Sequence, residues 1–300
     1  VSTIRDLARV HRFEYPLPVH FLCYSVWGAA YAVGRPAQLL TVPVLLAVVS
    51  NLLLPFATNV LNAVVDAPTD ARTPAKRGLA EAVERLGVRR ALWWAGVELA
   101  ACLIAAAAVT VVLRRWLVVV ATAGAVTLLL LYNLEPVRLK RRGLANPVAL
   151  GAGFGLLPCL VSAGALRVDI SPWMWLIFTG FAISAAGRAL WWMVPDRSGD
   201  AASGMPTFAV RHGARRAIVV SLLIAAPGPA VLAVGLWARY RLGWALAGAA
   251  AAGAIVIGQF ASLRGTSDRD LPSAPRMRRR NMTAMMLANV FLAVLPLVAG

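Results

Sequence analysis

Nine stretches of this chain are each long and apolar enough to cross a lipid bilayer, and nothing else in the sequence restricts the fold as strongly. A spanning helix needs about 20 predominantly apolar residues, with a range of about 17–25. The runs extend from Pro16 to Val33, Ala37 to Val60, Ala91 to Leu113, Trp116 to Tyr132, Asn146 to Ala165, Pro172 to Val194, Ala217 to Trp237, Gly243 to Leu263 and Asn281 to Ala299. In lipid the backbone must satisfy its own hydrogen bonds, which leaves helices or a closed barrel. The two-residue alternation of barrel strands is absent from these runs. The expectation is therefore an all-α polytopic membrane protein of nine transmembrane helices, forming one domain over residues 1–300 with no internal repeat. The first run begins too late, and is followed by too many others, to be a cleaved signal peptide. Hydrophobic residues make up 60% of the 300 and charged residues only 14%. Soluble domains average about 45–50% and about 25%. A water-soluble enzyme or nucleic-acid-binding module of this composition could not hide its apolar surface.

The net charge of +17 has a topological explanation. The N-terminal arm and the segments after runs two, four, six and eight carry 3, 6, 4, 4 and 6 Lys/Arg, whereas the segments after runs one, three, five and seven carry 1, 2, 1 and 2. By the positive-inside rule the N-terminus and the even segments face the cytoplasm. Attraction to anionic lipid headgroups adds to this, and no nucleic acid is needed. The bias of 28 Arg against 2 Lys points to a GC-rich bacterial genome, hence a bacterial plasma membrane. Cys23, Cys102 and Cys159 lie in apolar runs without metal-ligand spacing and read as small hydrophobes. His11, His20 and His212 are too scattered for a metal site.

Acidic residues number only 13, so their placement is informative. Four form two pairs of equal spacing, Asp66/Asp70 and Asp196/Asp200, each at the cytoplasmic end of an even-numbered run. Spacing of four puts both carboxylates on one helix face, where like charges repel unless a cation intervenes. Asn62 stands another four residues before Asp66, and Pro68 is expected to end that helix locally, short of Asp70. Aspartates at helix ends are commonly a solvated face; two matched pairs on one side of a chain this poor in acids are not so easily dismissed. Carboxylates with an amide oxygen suit Mg2+, which binds through one or two carboxylates plus substrate phosphates. Asn62, Asp66, Asp70, Asp196 and Asp200 thus read as two acidic walls facing each other across a diphosphate, with magnesium between.

Basic residues offer the phosphate contacts. The segment after run four reads Tyr132-Asn-Leu-Glu-Pro136-Val-Arg138-Leu-Lys140-Arg141-Arg142, and Arg72, Lys76 and Arg77 follow the first acidic pair. Both clusters serve either as topology signals or as phosphate ligands. Arg211, Arg215 and Arg216 are assigned to topology. Arg188, inside run six, is a candidate for the diphosphate, for an acid such as Asp66, or for snorkelling to the interface. Glu98 is expected to pair with an arginine, and Asn59 is a further ligand candidate. Trp191 and Trp192 read first as interfacial anchors, and Tyr132 as a ring able to steady a cation.

These residues resemble the UbiA superfamily of intramembrane prenyltransferases. The likeness covers nearly the whole chain. It rests on the span count, on N-x-x-x-D-x-x-x-D at Asn62–Asp70 with the trailing Lys76-Arg77, and on Y-x-x-x-P-x-R-x-K-R-R from Tyr132. It rests also on D-x-x-x-D-x-x-x-G-x-x-T-x-A-V-R-x-G from Asp196 to Gly213. The chain departs from the family pattern at Ala63, where many members carry Asp. The resemblance implies nine helices around a central cavity, a cytoplasmic cap bearing both aspartate motifs, and an isoprenyl diphosphate held through two Mg2+. It implies transfer of the prenyl group to a lipophilic, aromatic acceptor. A terpene cyclase of the same superfamily would share the ionisation and dispense with the acceptor; a transporter or membrane scaffold would explain the spans but not the paired aspartates.

Overall fold

The computed structural model of the protein describes residues 2–73, 76–261, 263 and 274–300. Among the described residues there is no strand. The helices are α1 (Ser2–Val10), α2 (Leu17–Ala32), α3 (Val42–Asp70), α4 (Arg77–Leu86), α5 (Val88–Leu113), α6 (Trp116–Asn133) and α7 (Ala145–Gly164). They continue with α8 (Pro172–Met193), the short α9 (Arg197–Ala202) and α10 (Phe208–His212), then α11 (Ala214–Arg239), α12 (Leu242–Ala261) and α13 (Ala274–Ala299). Eight of these are long and apolar enough to cross a membrane, and each coincides with a predicted run. The ninth run is α2, only 16 residues long. At 1.5 Å per residue it reaches about 24 Å, against a hydrocarbon core of about 30 Å.

Together with α2 the eight close into a ring. Each of α2, α3, α5, α6, α7, α8, α11, α12 and α13 packs on the next, and α13 returns to α2. Apolar side chains alone would not select this arrangement, because lipid is as apolar as leucine. Close backbone approach at small residues does. A Cβ on Gly28 of α2 would lie 1.9 Å from the Cys159 carbonyl oxygen of α7, and one on Gly155 of α7 would lie 2.4 Å from the Ala182 Cα of α8. Gly28→Val is therefore expected to force α2 and α7 apart and lower the Tm of the detergent-purified protein by 5 °C or more, on the order of a severe overpacking defect. An unchanged Tm would contradict this packing.

Two prolines show how the helices adapt. In α7 the turn Ala152–Leu156 widens to π geometry just ahead of Pro158, which makes room for a ring that a regular helix would not accept. In α3 the expected stop at Pro68 does not occur, and the helix runs on through Asp70. A proline removes only its own N–H and crowds the carbonyl four residues back; later residues still bond, as Ala71 N does to Ala67 O at 3.0 Å. The turn carrying Asp66 and Asp70 stays helical, and its carboxylates stay on one face.

Arg211, Arg215 and Arg216 are exposed. After the eighth run, Arg264 and Arg269 lie outside the described residues, as do the side chains of Arg276, Arg278, Arg279 and Arg280. The three cysteines are buried and unpaired.

Candidate active site

The chain has two lysines, and each is bonded to a motif aspartate at one rim of the ring. Asn62, Asp66 and Asp70 descend one face of the last turns of α3, with Asp66 8% and Asp70 3% exposed. Opposite them, the chain leaving α8 carries Asp196 and Asp200. Gly199 lets α9 lie against the end of α3, since a Cβ there would come 2.1 Å from Thr73 Oγ1. Gly204 then turns the chain with φ +66°, a conformation that favours glycine. The reversal delivers Met205 N to the Asp200 carbonyl at 2.8 Å and Thr207 Oγ1 as donor to Asp200 Oδ2 at 3.2 Å. The spacing from Asp200 through Gly204 to Thr207 is thus a turn that locks a carboxylate.

A single ammonium spans the two walls. Lys76 Nζ lies 2.8 Å from Asp196 Oδ2 and 3.6 Å from Asp70 Oδ1. The second lysine holds the first wall: Lys140 Nζ is 2.6 Å from Asp66 Oδ1 and donates to Asn62 Oδ1 at 3.0 Å. Arg138 Nη2 donates to the same Asp66 oxygen at 3.0 Å. Arg138 reaches inward from a left-handed backbone with φ 37° that opens a short 3-10 turn over Leu139–Arg141. Its neighbours have other work. Arg141 pairs with Glu135 at 3.1 Å, and Arg142 donates to the Pro136 carbonyl at 2.8 Å, stiffening the loop. Asn146 ties the loop to the ring by donating to the Lys140 carbonyl and to Tyr132 Oη, both at 3.3 Å.

The charges respond to burial and to each other. Burial drives the Asp200 carboxyl up to about 6, reinforced by the Asp196 charge and opposed by Lys76. A cation held by this carboxylate would compete with a proton in mildly acidic solution. Burial pulls the Lys140 ammonium below the ordinary lysine value against the attraction of Asp66. Lys76 is pulled the same way by burial, but Asp196 and Asp70 outweigh it and raise its pKa.

Beneath the rim lies a cavity of about 630 Å3, walled by Asn59, Asn62, Lys76 and Asp196, by Arg12, Leu17 and Phe21, and by Met282 and Thr283 of α13. Leu17, Phe21 and Trp192 also line a deeper, mostly apolar chamber of about 140 Å3 containing Tyr24, Phe154 and Arg188. Tyr132 lines a smaller recess that shares Leu150 and Phe154 with this chamber.

The predicted residues divide accordingly. Asn62, Asp66, Asp70, Lys76, Arg138, Lys140, Asp196 and Asp200 come together, with Tyr132 one shell deeper. Arg72 and Arg77 are exposed. Arg188 neither snorkels nor meets Asp66. It is 7% exposed, with its Cζ 5.6 Å from the Tyr24 ring centroid and Nη1 3.5 Å from Met285 Sδ. Trp191 is buried at 2% exposed and so is no interfacial anchor, and the partly buried Trp192 lines both cavities. Glu98 pairs with His11 Nε2 at 2.7 Å and not with an arginine, and Asn59 Nδ2 donates to the His11 carbonyl at 3.2 Å.

Sequence reading missed Arg12, which faces the cavity beside Lys76 from a left-handed backbone at φ 59°. Counted as one of three basic residues in the N-terminal arm, it carried no local signal. The contact of α1 with α4 and the His11–Glu98 pair place it.

The donors fit magnesium. They are carboxylate and amide oxygens, with no imidazole or thiolate among them. Among the described residues no three His, Cys, Asp or Glu side chains converge to cage an ion by themselves. That matches a cation bound by one or two carboxylates and completed by substrate phosphates.

Comparison with known proteins gives a consistent result. The UbiA prenyltransferase family matches residues 21–287. Among solved structures, a UbiA homologue from Archaeoglobus fulgidus bound to DMAPP and Mg2+ is similar at a TM-score of 0.76, with 16% identity and 98% of each chain covered. The same homologue bound to GPP and Mg2+ gives a TM-score of 0.76 and 16% identity over 98% of this chain and 99% of that one. An apo UbiA homologue from Aeropyrum pernix K1 gives 0.71 and 17% over 95% of this chain and 98% of the other. Among curated proteins, none matches the chain.

Proposed function

The chain belongs to the UbiA prenyltransferase family, and on that premise we propose that it is a magnesium-dependent intramembrane prenyltransferase. It ionises an isoprenyl diphosphate and transfers the prenyl group to a lipophilic, aromatic acceptor. The observation that carries this reading is the Lys76 bridge between Asp70 and Asp196, which sets the two motifs face to face above a cavity leading into an apolar chamber.

Heterolysis of an allylic C–O bond requires that the departing diphosphate be neutralised as it leaves. Asn62, Asp66, Asp70, Asp196 and Asp200 would hold Mg2+, which supplies Lewis-acid stabilisation of the phosphate oxygens. Lys76, Lys140, Arg138 and Arg12 contribute charge from the protein side. The lysine ammoniums, now on carboxylates, are mobile point charges able to turn to phosphate oxygens. Phe21, Leu17 and Trp192 keep water from the allylic cation, and the Tyr132 ring presents a face to it. The basic rim is assigned to the cytoplasmic side of a bacterial plasma membrane, with anionic lipid as its neighbour.

A cyclase would need the same ionisation, and the aromatic lining of the chamber is what favours that second reading. One assay separates them. Purified full-length protein in lipid nanodiscs is expected to release pyrophosphate from geranyl or farnesyl diphosphate only with Mg2+, and mass spectrometry is expected to find a prenylated product only when a phenol is supplied. A hydrocarbon or terpene alcohol formed without acceptor selects the cyclase. No release with any chain length refutes both.

A further inference from the structure

Helix α1 closes on a residue held in a strained conformation. Phe13 N bonds the Ala8 carbonyl at 2.9 Å and Arg12 N bonds the Arg9 carbonyl at 3.1 Å, the paired bonds of a Schellman turn. The left-handed residue of such a turn is usually glycine, because a Cβ is unfavourable there. This chain places Arg12 at that point, with φ 59°. An ordinary residue persists in this region only where its surroundings over-determine it. His11 supplies that constraint. Its two ring nitrogens are both bonded, Nδ1 to the Leu7 carbonyl and Nε2 to Glu98 Oε1 of α5, each at 2.7 Å. Phe13 stacks on the ring with centroids 5.4 Å apart, and Phe56 of α3 meets it edge-on at 6.4 Å. The His11 carbonyl, which shares a peptide with Arg12, accepts from Asn59 Nδ2 of α3 at 3.2 Å. Nearer the start of α1, Asp6 pairs with Arg85 of α4 at 2.7 Å.

Arg12 thereby stands at the cavity wall with Lys76, and among the described residues its guanidinium makes no hydrogen bond and no ion pair. Glycine would end α1 without strain, so the side chain is what this position gains. The buried His11–Glu98 pair is likewise weak grounds for stability, since apolar replacements of such pairs are often neutral or stabilising. One explanation covers both features. Resting on the prenyltransferase reading, we propose that His11 and Glu98 are positioning residues for the reaction: anchored on α5, they hold the end of α1 so that Arg12 keeps its left-handed backbone and presents its guanidinium to the diphosphate. Neither residue touches the reacting atoms; their effect passes through the peptide between His11 and Arg12. A cation carried on a fixed backbone loses less freedom when it takes up a phosphate. Without the anchor the strained turn relaxes, and the guanidinium leaves the wall.

A double-mutant cycle read by binding decides the matter. Full-length protein in nanodiscs with Mg2+ is titrated calorimetrically with inorganic pyrophosphate. Arg12→Gly is expected to weaken binding about tenfold, the scale of one charge-assisted contact. Its Tm is expected to stay level or rise, because glycine accepts φ 59° without strain. Replacing the pair by apolar residues, His11→Phe with Glu98→Leu, is expected to weaken binding at least about threefold in the wild-type background and not at all in Arg12→Gly. A pair that only stabilises the fold would lower the Tm without touching affinity, or would cost the same affinity in both backgrounds. Either of those results, or a lower Tm in Arg12→Gly, overturns the positioning role. If the apolar pair does not fold, Glu98→Asp, which draws the carboxylate back by one methylene, is carried through the same cycle with the same criteria. Absence of pyrophosphate binding in wild type refutes the diphosphate reading and the positioning role with it, whereas binding without the coupling refutes the positioning role alone.

Discussion

Asp200→Asn is expected to cut magnesium-dependent pyrophosphate release about 100- to 1,000-fold while leaving a folded protein of near wild-type Tm. The rate loss is of the size seen when one preorganised group that meets developing charge is removed. The fold survives because, among the described residues, the only hydrogen bond to that carboxylate comes from a neutral donor, Thr207 Oγ1 at 3.2 Å, and an amide oxygen accepts it equally well. Asp66→Asn is expected to lose turnover to the same degree and to lose stability as well. Its carboxylate answers two buried cations, Lys140 at 2.6 Å and Arg138 at 3.0 Å; Arg138 keeps Glu135 at 3.1 Å, but leaving the buried Lys140 without its carboxylate costs about 3–5 kcal/mol. Release assays beside melting curves separate the two effects. Near wild-type rates in both variants would end the account of two facing acidic walls.

Lys140→Met is expected to move two measurements in opposite directions. Turnover of isoprenyl diphosphate falls about 100-fold, because a cation that meets the leaving group has gone. Metal affinity without diphosphate rises about tenfold, read by calorimetry with Mn2+, because Asp66 and Asn62 no longer share their oxygens with an ammonium. A merely structural lysine would lower both along with the Tm. A drop in metal affinity would show that Lys140 assists the cation instead of holding its place. The chain uses lysine only here and at Lys76, where arginine serves everywhere else. A compact charge on a flexible stem can leave a carboxylate for a phosphate, whereas a planar fork is pre-organised for one partner.

Much of this was legible beforehand. Lipid as solvent forces long apolar helices, so eight spans agreed with the runs read from sequence, and only α2 came out shorter. Spacing of four along a helix brought Asn62, Asp66 and Asp70 to one face, and the second motif carried its own turn at Gly204. Pro68 misled, because a proline near a helix end looks like a stop while the backbone bonds beyond it persist. Arginines were the least legible. Arg138 and Arg142 stand four apart in one basic run, yet one meets Asp66 and the other staples its own loop.

What the sequence determined by itself was whatever depends on neighbours along the chain: the solvent, the helices, the spacing of carboxylates and the excess of positive charge on alternate segments. What only the tertiary structure decided was which distant groups share a space. Lys76 between Asp70 and Asp196, Arg12 at the cavity wall and Arg188 alone in an apolar chamber all depend on how helices far apart in sequence pack. The cause is that a charge acts through distance and local dielectric, and neither quantity exists until the ring of helices has closed.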